Sequence, residues 1–164
     1  MGKNPYPTGK EHDRKPIVGR LKLEFLEERV SAEAILLEQE APRTCRLILE
    51  SLPFEGDLVH GIWSGPETYL PIDPEIQVPA EHQATSLVPG DIGYFALEGG
   101  RLVDWPESFA EVLFAYGRGA RPSMPTGPVP VNIFGRITGN LEEFARVCAR
   151  MKREGAKRFR IERG

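Results

Sequence analysis

The chain of 164 residues is long enough for one domain with a full hydrophobic core and too short for two ordinary ones. Its 21 basic and 24 acidic residues are mixed along the sequence and leave a formal net charge of -3, which excludes the broad positive field that holds nucleic acid or an anionic membrane. Met1 to Lys15 contains no apolar run, so it reads as neither a signal peptide nor a membrane span, and the expected address is the cytoplasm.

Residues 1–16 hold Pro5, Pro7, Gly9 and Pro16 among charges, a composition that predicts a flexible N-terminal arm ahead of one domain over 17–164. From Arg20, Leu21, Leu23 and Phe25 alternate with Lys22 and Glu24, the period of a strand with one buried face. After Glu27-Glu28-Arg29 a second strand places Val30, Ala32, Ala34 and Leu36 inward, and the two predict a hairpin. At Ala41-Pro42-Arg43-Thr44 the period changes, because Cys45, Ile48, Leu49 and Leu52 recur at three and four residues, with Pro42 suited to a first helical turn and Pro53 as the stop.

Short strands are expected at 58–63, 68–70, 92–97, 110–116 and 129–137, between Gly/Pro punctuation such as Ser64-Gly65-Pro66 and Pro89-Gly90-Asp91, with 71–90 as a long connection. A second helix has Asn140 as cap, Glu143 as its capping-box partner, and Leu141, Phe144, Val147, Cys148 and Met151 as the buried stripe, with Gly155 past its last turn. Its basic residues, Arg146, Arg150, Lys152 and Arg153, are interleaved with Glu142, Glu143 and Glu154 and read as a solvated face. Cys45 and Cys148 both fall on apolar helix faces, so no disulfide framework is indicated. Lys157 to Glu162 alternates around Phe159 and Ile161 as a closing strand paired to the first. The pattern predicts a mainly β fold, a closed barrel with two helices, since closure removes exposed strand edges.

The Ala41-Pro42-Arg43-Thr44 helix start, the Leu58-Val59-His60-Gly61-Ile62 strand and the hairpin-first order resemble the cyclophilins. The stretches Trp63…Tyr69, Pro89-Gly90-Asp91-Ile92-Gly93-Tyr94, Tyr116-Gly117 and Val131-Asn132-Ile133-Phe134-Gly135-Arg136-Ile137 resemble, in the same order, a group of small bacterial cyclophilin-like proteins of unassigned function. This resemblance covers residues 17–163 and implies a closed eight-stranded cyclophilin-like barrel, a helix at each end and a shallow pocket on the outer face. In the prolyl isomerases the matching strand carries Phe-His-Arg, whose guanidinium weakens the amide resonance behind a barrier of ~18–20 kcal/mol. Here those positions are Val59-His60-Gly61, without the guanidinium.

The residues expected to line the pocket are His60, Trp63, Tyr69, Tyr116, Arg118, Arg121 and Asn132, with the arginines holding an anionic group such as a carboxylate, the rings forming apolar walls and Asn132 orienting the ligand. Each has a structural alternative. His60 and Trp63, three apart on one strand, point to opposite faces, so one of them packs or bonds within the protein. Tyr116-Gly117-Arg118-Gly119-Ala120-Arg121-Pro122 is either an anion-gripping loop or a solvated turn; Pro122 and the strand that follows rule out a dinucleotide fingerprint. Glu67, Tyr69 and Tyr94 are candidate acid/base groups or satisfied structural ones. Ser64 lacks a nucleophile-elbow setting, and His12, His60 and His82 lack metal spacing, so neither serine hydrolysis, a metal nor a cofactor is expected. The leading function is thus binding of a small anionic metabolite. Its rivals are a prolyl isomerase with Arg118 or Arg121 replacing the missing guanidinium, and a homo-oligomer built on the 71–90 loop or on Leu102, Val103, Trp105 and Phe109.

Overall fold

The computed structural model of the chain describes residues 18–102 and 105–164; the expected N-terminal arm and Val103 lie outside them. The first hairpin is β1 (Arg20–Phe25) and β2 (Val30–Leu36), with Leu21, Leu23, Phe25, Ala32, Ala34 and Leu36 all buried as the alternation requires. Helix α1 (Pro42–Ser51) follows, then β3 (Phe54–His60), β4 (Glu67–Ile72), the short β5 (Gln83–Ala84), β6 (Asp91–Leu97) and β7 (Phe109–Ala115). A small hairpin, β8 (Ser123–Met124) and β9 (Gly127–Pro128), leads to β10 (Val131–Gly139), α2 (Leu141–Glu154) and the closing β11 (Lys157–Arg163).

The main sheet runs β2-β1-β11-β3-β4-β7-β6-β10, and β10 pairs back to β2, so eight antiparallel strands close into a barrel, with β5 added on β10. Closure depends on the chain ends: Leu23 faces Ile161 and Phe25 faces Phe159 across the β1–β11 ladder. Inside, Phe25, Phe114, Phe144 and Phe159 form a cluster with ring centroids 4.9–6.1 Å apart, Phe144 being the contribution of α2. Stacking of this kind adds to the burial of large apolar area. The thiols of Cys45 and Cys148 sit in the same interior and are pushed by burial to about 12, so they act as small apolar groups. No helix among the described residues is long and apolar enough to cross a membrane.

Several local expectations need correction. Strand β3 begins at Phe54, earlier than the apolar run suggested, because its ladder with β11 starts at Phe54↔Ile161 and recruits the alternating Glu55, Gly56 and Asp57. It also ends at His60, so Trp63 lies in the following loop and the argument from opposite strand faces does not apply to it. The capping box at α2 is not formed: Asn140 adopts a left-handed backbone (φ 62°), makes no side-chain cap, and donates its Nδ2 to the Ser31 carbonyl (2.8 Å), while Glu143 pairs with Arg146. Gly155 does close the helix, its N–H donating to Met151 O (2.9 Å). Helix α1 has Pro42 in its first turn as expected, but its free N–H groups are capped from 37 residues away, where Glu81 accepts from Thr44 N (2.9 Å). It also accepts from Arg43 N (3.1 Å) and Thr44 Oγ1 (2.8 Å). Partial burial pushes the Glu81 carboxyl up, yet these hydrogen bonds outweigh it and hold the group below its usual value.

Candidate functional site

A strand in a closed barrel has an inner and an outer face, and here both are apolar over part of the sheet. On β7, Val112 and Phe114 point into the core while Leu113 and Ala115 join a second buried cluster outside it, with Leu87, Ala120, Val131 and Ile133. Tyr69 on β4 and Phe95 on β6 pack against that outer cluster. Beside it lies a cavity of about 100 Å³ with aromatic walls formed by Trp63, Tyr69, Phe95, Trp105 and Phe109. Phe109 meets Tyr69 edge to face at 6.3 Å and Trp105 at 6.4 Å, so the rings form a continuous wall. Met124 of the β8–β9 hairpin and Val129 close one side and separate the cavity from a neighbouring depression lined by Tyr94, Gln83 and Asn132.

Two carboxyl groups open onto this cavity, Glu67 and Glu111. Glu67 is 2 % exposed and Glu111 9 %. Strand register explains why they share a wall: Tyr69 sits opposite Leu113 and Pro71 opposite Glu111, so Glu67 and Tyr69 of β4 project on the same side as Glu111 and Leu113 of β7. Burial pushes both carboxyls up. Glu67 is partly held down by a hydrogen bond from Ser64, whereas Glu111 has no donor to offset burial, and the charge of Glu67 raises it further. Burial and the two glutamates likewise raise the Tyr69 phenol, which stays a donor at neutral pH. No lysine or arginine is among the described residues that line the cavity.

Glycines make the approach of Glu67 feasible. A Cβ at Gly61 would sit 3.3 Å from Glu67 O and 3.4 Å from Glu67 Oε1, so a side chain at this position would crowd the carboxylate. Gly65 has φ +73° and its α-carbon faces Gly119 O, where a Cβ would come to 3.1 Å, locking the Ser64-Gly65-Pro66 turn against the arginine loop. Ser64 then serves both segments, its Oγ accepting from Ser123 N (3.0 Å) and its carbonyl from Arg121 N (2.9 Å).

The structure brings together two of the seven residues expected at one pocket, Trp63 and Tyr69. His60 and Tyr116 form a pair of their own on the inner side at the barrel end: His60 Nδ1 lies 2.7 Å from Gly61 O and Nε2 2.7 Å from Tyr116 Oη. Since a carbonyl only accepts, Nδ1 carries the proton and Tyr116 donates to Nε2. Arg118 and Arg121 are exposed on the loop beside the cavity and do not line it. Asn132 spends its amide within the protein, donating to Thr44 Oγ1 (3.2 Å) and Pro79 O (3.0 Å) and accepting from Glu81 N (3.2 Å) and Gln83 Nε2 (3.1 Å). It thereby pins the long connection to β10. Trp105, Phe109 and Leu102, considered above as an oligomer contact, face the cavity and its neighbour. Glu111 was missed by sequence reasoning. Its signal is a lone acid in the otherwise apolar Phe109–Ala115 run.

No functionally curated protein matches the sequence. Solved structures that share the fold include the following two. McbB, solved in complex with tryptophan, is 18% identical with a TM-score of 0.65 over 87% of this chain, which spans 44% of the McbB chain. The hypothetical protein AF2241 from Archaeoglobus fulgidus is 20% identical with a TM-score of 0.54, over 93% of this chain and 99% of its own. Residues 24–162 match the family described as "Protein of unknown function (DUF3830)", and the chain belongs to that family.

Proposed function

We propose that this barrel is of the cyclophilin-like kind and that its outer-face cavity binds a small flat aromatic molecule through a nitrogen that donates to Glu67 or Glu111. A carboxylate of the same ligand would reach outward to Arg118 and Arg121. The observation that carries this reading is the cavity lining: aromatic walls, two buried carboxyls and no cation among the described residues. Such a wall stacks on a ring, and buried carboxyl oxygens favour a donor or cation while repelling an anion. The expected anionic group therefore belongs at the exposed loop, where Arg121 N donates to Ser64 O (2.9 Å) and keeps the guanidinium-bearing segment against the rim. The shared fold of McbB, solved with tryptophan, is in keeping with an aromatic amino-acid-like ligand on this scaffold. With Glu67 close to Gly61, where the isomerases carry a guanidinium, a proline amide would meet a carboxyl, and no isomerisation of prolyl peptides above buffer is expected.

Both tryptophans of the chain line the cavity, so intrinsic fluorescence reports on it directly. Titration with phenethylamine, phenylalanine and phenylacetate should shift the emission with the first two, and with phenylacetate only at about tenfold higher concentration, a difference of about 1.4 kcal/mol. Arg118→Ala/Arg121→Ala should weaken phenylalanine and phenylacetate and leave phenethylamine unchanged. Equal responses to amine and acid, or no response to any of the three, would sink the proposal.

A further inference from the structure

The two carboxyls do not share one environment. Ser64 Oγ accepts from Ser123 N (3.0 Å), which leaves its hydroxyl proton free, and this hydroxyl on the same cavity wall pulls the Glu67 carboxyl down against the upward push of burial. A carboxylate that receives a hydrogen bond is favoured in its ionised form. Glu111 is nine-tenths buried, lines the same cavity and receives no hydrogen bond among the described residues, so its neutral form is favoured, the more so while Glu67 is charged. Among the described residues of the lining, no other titratable group besides the Tyr69 phenol competes for the proton. One wall of an aromatic cavity thus holds two buried carboxyls in unlike surroundings, Glu67 giving up its proton more readily than Glu111, as a proton-transfer couple requires.

We infer that Glu67 and Glu111 act as general base and general acid on the ligand of this cavity, catalysing a cofactor-independent proton-shift isomerisation of a flat conjugated molecule. Glu67 takes a proton from a carbon or nitrogen of the ligand, and the electron pair of the broken bond moves into the conjugated system. Glu111 gives its proton to another atom of that system, forming the new bond to hydrogen. Substrate and product are isomers, nothing is oxidised or reduced, and a proton passed through water from Glu67 to Glu111 restores the couple. Tyr69, lying between the two in register, donates to the charge that develops on the ligand. The inference rests on the binding site proposed above and adds a reaction to it.

The test uses 5-nitrobenzisoxazole, a flat aromatic probe whose ring opens when a carboxylate removes its carbon-bound proton: the N–O bond breaks and a nitrile and a coloured phenolate form. The full-length protein should open it about a hundredfold faster than acetate at equal concentration. The rate should rise with pH in two steps, both above the ordinary carboxyl value of 4.5. Glu67→Gln should cost about tenfold or more at neutral pH, Glu67→Asp should restore part of it, and Glu111→Gln should remove the second step. Glu55→Gln, outside the cavity lining where it pairs with Arg158 and Arg160, should behave as wild type, and amide NMR spectra show whether each variant is folded. A rate no better than acetate, or a Glu67→Gln profile that coincides with wild type, overturns the inference. Phenethylamine titrated into the same samples separates the two claims: binding without ring opening overturns the reaction alone, and Glu67-dependent ring opening without amine binding overturns the binding proposal alone.

Discussion

The barrel carries two aromatic clusters on opposite faces of one sheet, and they differ in a single respect. Phe25, Phe114, Phe144 and Phe159 inside the barrel are fully buried in the apolar core cluster. Trp63, Tyr69, Trp105 and Phe109 outside it stand around two carboxyls and leave a gap. The first cluster is what a stable fold needs. The second holds buried titratable groups without partners of opposite charge, an arrangement that costs stability and so points to a task other than folding.

Substitutions can break or sharpen this contrast. The largest effect is expected from Phe159→Ala, which should lower the unfolding free energy by about 3–5 kcal/mol in urea titrations, whereas Phe109→Ala, on a half-buried ring, should cost about 1–2 kcal/mol while abolishing the fluorescence response to phenethylamine. Equal losses would mean that the outer cluster is ordinary core.

A smaller effect of opposite sign is expected at Glu111. Its folded-state carboxyl titrates above its unfolded value, so the proton it keeps contributes stability that is fully present below pH 4.5 and is lost as pH rises through the folded value. Glu111→Leu should therefore gain about 1–2 kcal/mol at neutral pH, and its advantage over wild type should grow with pH above 4.5. A pH-independent difference would show that Glu111 is not a buried, proton-holding group. The smallest effect concerns neither cluster: Glu81→Ala should cost about 1 kcal/mol, with faster amide exchange at Arg43 and Thr44, and no change there would deny Glu81 its role as the cap of α1.

The first and last strands were legible because each buries one face only, and strict alternation at Leu21, Leu23, Phe25, Phe159 and Ile161 leaves one reading. Strand β7 buries both faces, so alternation vanishes and Glu111 looks like an interruption rather than a placed group. The resemblance singled out Trp63 and Tyr69, which line the outer cavity, but not Glu111, Trp105 or Phe109 beside them. Asn132 has every feature of a ligand-orienting amide, and only its bonds to Thr44, Pro79, Glu81 and Gln83 show that its capacity is used within the fold.

The sequence by itself determined the mainly β class, the helix positions and the meeting of the chain ends, because these follow from periodicity and from the capacity of each segment to hide its apolar face. Tertiary structure decided which side chains share a wall. Glu67 and Glu111 are 44 residues apart in the chain, and nothing local relates them. They converge because β4 and β7 pair in one register, and a shift of one residue would have turned one of them into the core.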